Sequence, residues 1–378
     1  MSGSTYGNIF KITTWGESHG KGLGVVVDGC PAGLPLDESF IQDYLNRRRP
    51  GGIKYSTPRK ESDTVSILSG VMEGKTTGTP ISMAVMNESQ RSSDYSEIAS
   101  YYRPGHADYT FDAKYGFRDY RGGGRSSGRE TIGRVAGGAV ALALLEELGI
   151  QITAYAKAIG PVTLNEALFT NSQGHRFAPS REQISKSPLY LPDTEASIQA
   201  EDYLKKQIAK GDSVGGIIEC IISGVPSGIG EPVFDKLDAC LAKGILSIGA
   251  VKGFELGSGF ACASMEGSRH NDSFQVREDG SVTKKTNYAG GVLGGISDGS
   301  DIIFRAAIKP TPSISLPQDT INQEHENIQV SVKGRHDPII VPRAVVVVEA
   351  MAAITLADLL LENMASRMEF VKKFYTLF

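Results

Sequence analysis

The sequence predicts an α+β protein whose core is shared by two similar halves. Apolar runs typical of buried strands alternate along the chain with segments typical of helices. The predicted strands are 23–27, 64–68, 81–86, 214–222, 302–308 and 328–332, and the predicted helices are 37–49, 130–148, 233–241 and 344–368. The pattern Gly-x-Pro-x-Gly-Leu/Ile occurs at 29–34 and again at 224–229, each time after a strand and before a helix. Chance recurrence of turn residues is the alternative, but the shared context favours two halves with a site near their junction.

Local signals justify the predicted helices and the segments between them. Segment 37–49 carries apolar residues on one helical face and is followed by Pro-Gly-Gly, which ends a helix. Segment 130–148 is rich in Gly and Ala, so another element could approach it closely. Segment 162–191 is polar and contains proline, which favours an insertion. Segment 87–129 is too long for an ordinary loop and contains several aromatic residues, which indicates a functional segment rather than disorder.

The composition bounds the class of protein. Hydrophobic residues make up 40% and charged residues 22% of the 378 residues, which is enough for a large core. The net charge of −4 argues against a general nucleic-acid-binding protein, which would normally be basic. The cysteines form no Cys-x-x-Cys pair and have no histidine at metal-ligand spacing, so no metal site and only reduced thiols are expected. They are Cys30, Cys220, Cys240 and Cys262.

The sequence also predicts a cytoplasmic protein without a membrane partner. The N-terminus has neither the basic nor the apolar region of a secretory signal. The longest apolar stretch, 344–361, is interrupted by Glu349, Thr355 and Asp358 and falls short of the ~20 apolar residues of a membrane span.

A glycine-rich turn, Gly16-Glu-Ser-His19-Gly20, precedes the first predicted core strand. His19 is the side chain in this turn that exchanges a proton near neutral pH unaided. A lone histidine is more often structural, but its polar and glycine neighbours favour a site. A serine nucleophile is disfavoured because the Gly-x-Ser-x-Gly elbow is missing.

Two cation-rich segments indicate anion binding. The first carries six cations and is either a solvated basic face or an anion site, with part of the run favoured by the helix dipole. These cations are Arg47, Arg48, Arg49, Lys54, Arg59 and Lys60. The second is 102–131, where a Gly- and Ser-rich stretch with several arginines runs into a helix N-terminus, a place that binds phosphate or carboxylate. The alternative is a surface loop with nothing bound, and the Walker A pattern is missing.

Two shorter motifs follow predicted strands near the end of the chain. In Lys309-Pro-Thr-Pro-Ser313, prolines hold a lysine and hydroxyls in place, which suits either a phosphate contact or a plain turn. In Arg335-His-Asp337-Pro338, the polar residues either belong to a site or cap the final helix.

Taken together, these motifs resemble the chorismate synthase family. The resemblance rests on Gly16-Glu-Ser-His19-Gly20, the Arg-rich turn at 47–52, Arg103-Pro-Gly-His106-Ala-Asp108, Arg125-Ser-Ser-Gly-Arg129-Glu-Thr131 and Arg335-His-Asp337-Pro338. The motifs occur in the family's order and span essentially the whole chain, which makes them far more specific together than singly.

The resemblance implies a reaction and catalytic roles. The reaction is the 1,4-elimination of phosphate from 5-enolpyruvylshikimate 3-phosphate, which gives chorismate and requires reduced FMN without net redox change. His19 fits the general acid for the leaving phosphate. By resemblance, His106 lies near the N1–C2 edge of the flavin, and Asp337 lies near N5 and helps remove the ring proton.

The resemblance also suggests binding residues and partners. The substrate has two carboxylates and a phosphate, for which the candidates are Arg47, Arg48, Arg59, Arg129 and Arg335. The candidates for holding FMN are Ser127, Gly128, Lys309, Ser313, Arg335 and Asp337. FAD and NADP are the other nucleotides associated with the resemblance. A homotetramer is implied. A separate flavin reductase or an anaerobic supply of reduced flavin is expected, because the sequence has no dinucleotide-binding fingerprint.

The implied fold is a single domain over residues 1–378. It is a β-α-β sandwich in which two antiparallel four-stranded sheets form the core, with helices outside and internal pseudo-two-fold symmetry. The sequence departs from the family pattern at Gly128, where Ala is usual, and at Gly249, where Asn is common. The Arg-rich turn reads Pro-Gly-Gly-Ile-Lys54 instead of ending in Gly-Gly-Tyr-Gly-Arg.

Two other functions fit part of the same pattern. A flavin-independent phosphatase or phosphate-handling transferase could use the same arginines and histidines, and it would be indifferent to reduced FMN. A non-enzymatic anion- or nucleic-acid-binding protein is disfavoured by the acidic net charge and by histidines placed in glycine-rich turns.

Overall fold

The computed structural model describes residues 3–51, 54–55, 61–87, 97–172, 174–332 and 337–376. The strands of the described part are β1 (Thr5–Tyr6), β2 (Lys11–Gly16), β3 (Gly22–Asp28), β4 (Val65–Ile67), β5 (Val71–Met72), β6 (Lys75–Thr76), β7 (Ile81–Met86), β8 (Gln151–Ile159), β9 (Val162–Thr163), β10 (Gly216–Ser223), β11 (Val251–Leu256), β12 (Phe274–Val276), β13 (Val282–Lys284), β14 (Val292–Leu293), β15 (Ile296–Ser297), β16 (Ile302–Ile308), β17 (Gln318–Ile321) and β18 (Asn327–Val330). The helices are α1 (Glu38–Arg48), α2 (Asp108–Tyr115), α3 (Thr131–Glu147), α4 (Arg181–Ser185), α5 (Thr194–Ala209), α6 (Leu237–Leu246), α7 (Gly267–His270), α8 (Val341–Asn363) and α9 (Met368–Tyr375). The mixture of helices and antiparallel sheets is that of the α+β class.

Two antiparallel sheets organise the described part of the chain. The first has the strand order β1-β2-β3-β7-β4, and the second has the order β11-β16-β10-β8-β9. The sequence led to an expectation of four strands in each sheet; each has five, because the two-residue strands β1 and β9 extend one edge of each sheet. Residues in β3 and β8 are buried almost continuously, which means that both faces of these strands are covered.

The two long apolar helices lie at the centre of the molecule. Helix α3 packs on β2 and β3 of the first sheet, helix α8 packs on β8 and β10 of the second, and the two helices pack on each other. A Cβ added at Gly138 would lie 2.3 Å from the Cβ of Ala350, so the small residue allows this close approach. The expectation that helices lie outside the sheets is wrong for α3 and α8, because helices that are apolar on nearly every side must be covered all round.

Helix α8 also shows why apolar length alone does not identify a membrane span. Val341–Asn363 is long and apolar enough to cross a membrane, but 83% of its most apolar 18-residue window is buried inside the protein. Its covering comes from α3, α6 and the second sheet.

The four longer strands of each sheet follow the same plan. The neighbours are β2-β3-β7-β4 in the first sheet and β8-β10-β16-β11 in the second. Counted along the chain within each half, both orders read first, second, fourth, third. In both halves a helix follows the second and the fourth strand. The turns at 29–34 and 224–229 also share their bonding: a hydroxyl donates to the proline carbonyl and accepts the N–H three residues further on. These bonds are Thr76 Oγ1 to Pro31 O (2.6 Å) and Leu34 N to Thr76 Oγ1 (3.0 Å), then Ser297 Oγ to Pro226 O (2.6 Å) and Ile229 N to Ser297 Oγ (2.9 Å).

Some boundaries and elements differ from the sequence prediction. The helix predicted from residue 233 begins at Leu237, whose N–H donates to Gly295 O at 2.8 Å, and Phe234 before it is 87% exposed. The predicted insertion 162–191 contains β9 and α4. Strand β8 was missed because its alanines and a lysine lack the β-branched character of the predicted strands.

Candidate active site

The predicted site motifs lie at corresponding ends of the two sheets. One end of the first sheet holds the last residues of β2 (Gly16) and β7 (Met86) together with the first residues of β3 and β4. In the second sheet, the end of β16 at Ile308 pairs with the starts of β10 and β11. Segment 97–130 contacts these ends of both sheets and brings the sequence motifs together.

The His19 turn packs directly against the glycine-rich part of segment 97–130. Ser18 Oγ lies 3.1 Å from His19 Nδ1 and donates to the Gly122 carbonyl at 3.4 Å. The backbone of Gly122 has φ +68°, and a Cβ placed there would lie 2.3 Å from His19 Cε1. The glycine is therefore needed for the position of the histidine ring.

Arg125 fixes the turn from the other side. Its Nη1 donates to Gly16 O at 3.1 Å, and its Nη2 donates to Thr14 Oγ1 at 2.6 Å. Sequence reasoning placed this arginine in an anion-binding segment, and the structure uses it to hold the strand end that leads into the His19 turn.

Arg48, Asp63 and Arg129 form a buried ion-pair group. Asp63 Oδ2 accepts from Arg48 Nη2 at 2.6 Å, and Asp63 Oδ1 accepts from Arg129 Nη1 at 2.8 Å. The Arg48 side chain is 2% exposed and that of Asp63 is 0% exposed, whereas Arg129 is 11% exposed. Arg129 also pairs with Glu61.

Asn87 connects this group to the His19 turn. Its Oδ1 accepts from Arg129 Nε at 2.7 Å, while its Nδ2 donates to Gly20 O at 2.8 Å and to Glu17 O at 3.1 Å. The arginine and the turn that carries His19 are thereby held in a fixed relation at the end of β7.

Arg343, in the first turn of α8, extends the group to the C-terminal motif. It donates to Asp337 Oδ2 at 2.7 Å and to the carbonyl of Arg48 at 2.9 Å. Burial and the neighbouring Arg48 lower the pKa of Arg343 to about 10. We call Arg48, Asp63, Arg129, Asp337 and Arg343 the arginine–carboxylate network.

His106 joins segment 97–130 to the Lys309–Ser313 motif. Its Nδ1 lies 3.0 Å from Pro104 O and its Nε2 lies 2.9 Å from Ser313 Oγ. Because a carbonyl only accepts, Nδ1 carries the proton of the neutral ring, and Nε2 accepts from the serine hydroxyl. Burial, with Arg103 nearby, lowers the pKa of His106 to about 4, so the ring is neutral at pH 7.

Lys309 completes this second group. Its Nζ donates to Gly105 O at 2.7 Å. Burial, with Lys252 nearby, lowers the pKa of Lys309. Within the described part of the chain, the buried hydroxyl of Thr311 has no hydrogen-bond partner. We call His106, Lys309, Thr311 and Ser313 the His106 cluster.

The remaining predicted residues are placed as follows. Ser127 caps the turn before α3 by accepting from Arg129 N at 3.3 Å, and Gly128 O accepts from Arg48 Nη1 at 3.3 Å. Arg47 points away from the network and pairs with the buried Glu349 at 2.7 Å. The predicted ligands Arg59 and Arg335 lie outside the described residues.

Comparison with known proteins identifies the family. The chorismate synthase family model matches residues 10–361. A chorismate synthase of Lachnoclostridium phytofermentans is 69% identical over 375 residues, which cover 99% of this chain and 100% of that protein. A chorismate synthase of Agathobacter rectalis is 63% identical over 375 residues, which cover 99% of both proteins.

The chain belongs to the chorismate synthase family. A crystal structure of a chorismate synthase matches it with a TM-score of 0.74 at 34% identity, covering 98% of this chain and 97% of that one. The protein is therefore a lyase that removes phosphate from 5-enolpyruvylshikimate 3-phosphate, in the pathway to the aromatic amino acids. The resemblance stated from the sequence motifs is confirmed.

The two glycines that depart from the chorismate synthase pattern have open surroundings. A Cβ added at Gly128 or at Gly249 would meet nothing within 4 Å. Neither backbone is in the left-handed region that favours glycine. The glycines therefore leave free space beside the chain rather than allow a close contact.

Sequence reasoning missed three residues that organise this candidate site. Asp63 and Asn87 adjoin β4 and β7, and Arg343 lies in α8 beyond the C-terminal motif. Asp63 and Asn87 stand among other polar residues without a recognisable spacing, and Arg343 is a single polar residue in the apolar stretch 339–348. The available signal for Asp63 and Asn87 was their position, since polar residues next to predicted core strands lie at one end of the sheet.

Proposed function

We propose that the arginine–carboxylate network and the His106 cluster form one active site, which binds 5-enolpyruvylshikimate 3-phosphate beside reduced FMN. The observation that carries this proposal is the course of segment 97–130. Gly122 packs on His19 at the first sheet, and His106 contacts Ser313 beyond the end of the second sheet. The motifs for the substrate and for the flavin therefore share one connecting segment.

Arg129 is the described arginine best placed to meet an anionic group of the substrate. Its side chain is partly accessible, and Asp63 and Asn87 fix its guanidinium. Arg48 is nearly inaccessible, so we assign it a supporting role behind Arg129 in this conformation. Arg47, Arg59 and Arg335 remain proposed ligands of the substrate, with Arg335 shared with the flavin.

The donor set around the His106 cluster fits FMN. Lys309 offers a cation, and the Thr311 hydroxyl, which has no hydrogen-bond partner among the described residues, offers a donor to a phosphate or to the polar edge of a flavin. The Ser313 hydroxyl donates to His106, so its oxygen remains available as an acceptor. Ser127, Gly128 and Asp337 complete the proposed contacts. Reduced FMN, when bound, supplies electron density transiently as the phosphate leaves the substrate.

The protein's own groups would handle the protons. The Ser18 hydroxyl donates to Gly122 O, so it accepts from Nδ1 of His19 and orients the ring, and His19 would give a proton to the departing phosphate. Nε2 of His106 can take up a proton when an anion offsets Arg103 and Lys309. Asp337, oriented by Arg343, would assist removal of the ring proton.

Several broader features belong to the same proposal. The two halves would be related by a pseudo-two-fold axis within a single domain, which the shared strand order supports and a backbone superposition of 11–147 on 151–363 would test. We also propose a cytoplasmic homotetramer that receives reduced FMN from a separate reductase and does not act on nucleic acid or membranes.

The decisive test is anaerobic phosphate release from 5-enolpyruvylshikimate 3-phosphate, with oxidised FMN and then with FMN reduced by dithionite. Release that requires reduced FMN supports the proposed site. Release that is independent of the flavin would favour a flavin-independent phosphatase. Absence of release from folded protein that binds FMN would contradict the assignment of substrate and site.

A further inference from the structure

We propose that Asp63 is a positioning residue that holds Arg48 and Arg129 in the geometry required for anion binding. The proposal rests on the proposed function of the site, and it assigns a role to a residue that none of the sequence motifs includes. Asp63 precedes β4 and contacts neither the His19 turn nor the His106 cluster in the bonds described above.

Each carboxylate oxygen of Asp63 serves a different arginine. Oδ2 lies 2.6 Å from Arg48 Nη2, and Oδ1 lies 2.8 Å from Arg129 Nη1. The two guanidinium groups come from distant parts of the chain, one from the last residue of α1 and the other from the turn before α3. With water excluded, two neighbouring cations repel strongly, and a shared carboxylate between them offsets that repulsion.

The backbone sets the position of this carboxylate independently of the arginines. Asp63 has φ +46°, in the left-handed region that residues other than glycine, asparagine and aspartate rarely adopt. Gln42 on α1 holds both sides of the bend, because its Nε2 donates to Asp63 O at 3.3 Å and its Oε1 accepts from Val65 N at 3.0 Å. Such local strain persists where the surrounding structure over-determines it.

The influence of Asp63 extends to the His19 turn. Arg129 reaches that turn through Asn87, which bonds both Arg129 Nε and Gly20 O. Nη1 of Arg129 pairs with both Asp63 and Glu61, and of these two carboxylates only that of Asp63 also binds Arg48. Loss of the Asp63 carboxylate would therefore weaken the hold on Arg129 and uncouple it from Arg48. Substrate affinity should therefore depend on Asp63 although the residue is inaccessible to the substrate.

The test is Asp63→Asn, because asparagine keeps the size of the side chain, tolerates the left-handed backbone and removes the charge. We expect the KM for 5-enolpyruvylshikimate 3-phosphate to rise by at least about tenfold, as for loss of a hydrogen bond to a charged group. The Kd for reduced FMN should change less than about twofold, because the His106 cluster is left intact. Asp272→Asn is the matched control. The Asp272 side chain is also buried and paired with a cation, Lys284, and among the described residues it has no bond to the site.

A double variant separates positioning from a general structural effect. If Asp63 acts through Arg129, Asp63→Asn should raise KM further by less than about twofold in an Arg129→Met background. An unchanged tenfold effect in that background, or a KM shift in Asp63→Asn no larger than in the Asp272→Asn control, would overturn the proposal.

A readout without substrate keeps this proposal separate from the proposed function. Exchange of the Arg129 Nε–H, followed by ¹⁵N NMR of the full-length protein, should be slow in the wild type and faster in Asp63→Asn. Equal exchange in both proteins would refute positioning. Faster exchange in the variant, with a wild type that does not release phosphate, would support positioning and refute the proposed function.

Discussion

The arginine–carboxylate network and the His106 cluster differ in how they treat positive charge. In the network, Arg48 and Arg129 share Asp63, and Arg343 pairs with Asp337, so the cations are compensated within the protein. In the His106 cluster, Lys309 and the imidazole contact carbonyl and hydroxyl oxygens instead. The pKa values of His106 and Lys309 are both lowered, as expected where burial and neighbouring cations oppose a positive charge.

The difference indicates two ways of preparing an anion site on one scaffold. With Glu61 on Arg129, the three arginines of the network face three carboxylates, so an incoming anion gains mainly from fixed donor geometry. The His106 cluster has uncompensated positive potential, so an incoming anion gains from charge and raises the proton affinity of its neighbours. Ligand binding should therefore change protonation at the His106 cluster more than at the network.

The largest effect is expected from a change at the contact between segment 97–130, which carries His106, and the His19 turn. Gly122→Ala places a Cβ 2.3 Å from His19 Cε1 and adds strain at φ +68°. Displacing the proposed general acid should lower kcat by on the order of 100-fold. Gly149→Ala is the control, because Gly149 also has positive φ, +73°, but open surroundings. Steady-state kinetics and thermal unfolding of both variants separate displacement of His19 from backbone strain. Equal kcat values in the two variants would contradict the role of the contact.

A titration should distinguish the His106 cluster from the network. The free-enzyme pKa of His106 is about 4, and bound reduced FMN should raise it because the anionic flavin offsets Arg103 and Lys309. NMR of the ring with and without reduced FMN measures the shift, and an unchanged pKa would argue against a flavin beside this ring.

The same depressed pKa predicts a pH dependence of stability. The unfolded ring takes up a proton near pH 6.5, whereas the folded ring stays neutral down to about pH 4. The contribution of this group is therefore complete above pH 6.5 and is lost as the pH falls toward 4. The free energy of unfolding, measured with urea, should fall between pH 7 and pH 5 in the wild type and fall less in His106→Asn. A larger loss for the variant would contradict the buried neutral ring.

Lys309→Met should weaken binding of reduced FMN by about tenfold, because a charged donor is lost. Substrate KM at saturating reduced FMN should change little, since the network is unaffected. Lys236→Met, at the start of α6, is the control for removal of a lysine. Anaerobic flavin titration gives the Kd, and equal loss of flavin and substrate affinity would mean that the two regions do not act separately.

Several residues of the candidate site were selected from the sequence because their signals are local. His19, His106 and Lys309 lie in glycine- or proline-rich turns after or before strands, so residue type and neighbours were sufficient to select them. The pairing of Arg48 with Asp63 and of Asp337 with Arg343 could not be predicted, because each joins residues that only the fold brings together. Arg47 and Arg48 are adjacent in sequence, yet one faces Glu349 and the other Asp63.

The fold shows the same division between local and long-range causes. Helix α3 was predicted from its glycine- and alanine-rich sequence, and so was the close approach of another element. The element that approaches α3 is α8, which packs Ala350 against Gly138. This contact is formed only by the fold, which places both helices between the two sheets. The sequence offers no local sign of which two faces meet.

The smallest effect is expected at Gly128, between the proposed FMN contact Ser127 and the network residue Arg129. A Cβ there would meet nothing within 4 Å, and the backbone lies outside the left-handed region. Gly128→Ala should change the free energy of unfolding by less than about 0.5 kcal/mol and leave the KM for substrate within about twofold. If the Kd for reduced FMN rises while the substrate KM holds, the space beside Gly128 belongs to the flavin. If both rise together, the two regions meet at this residue.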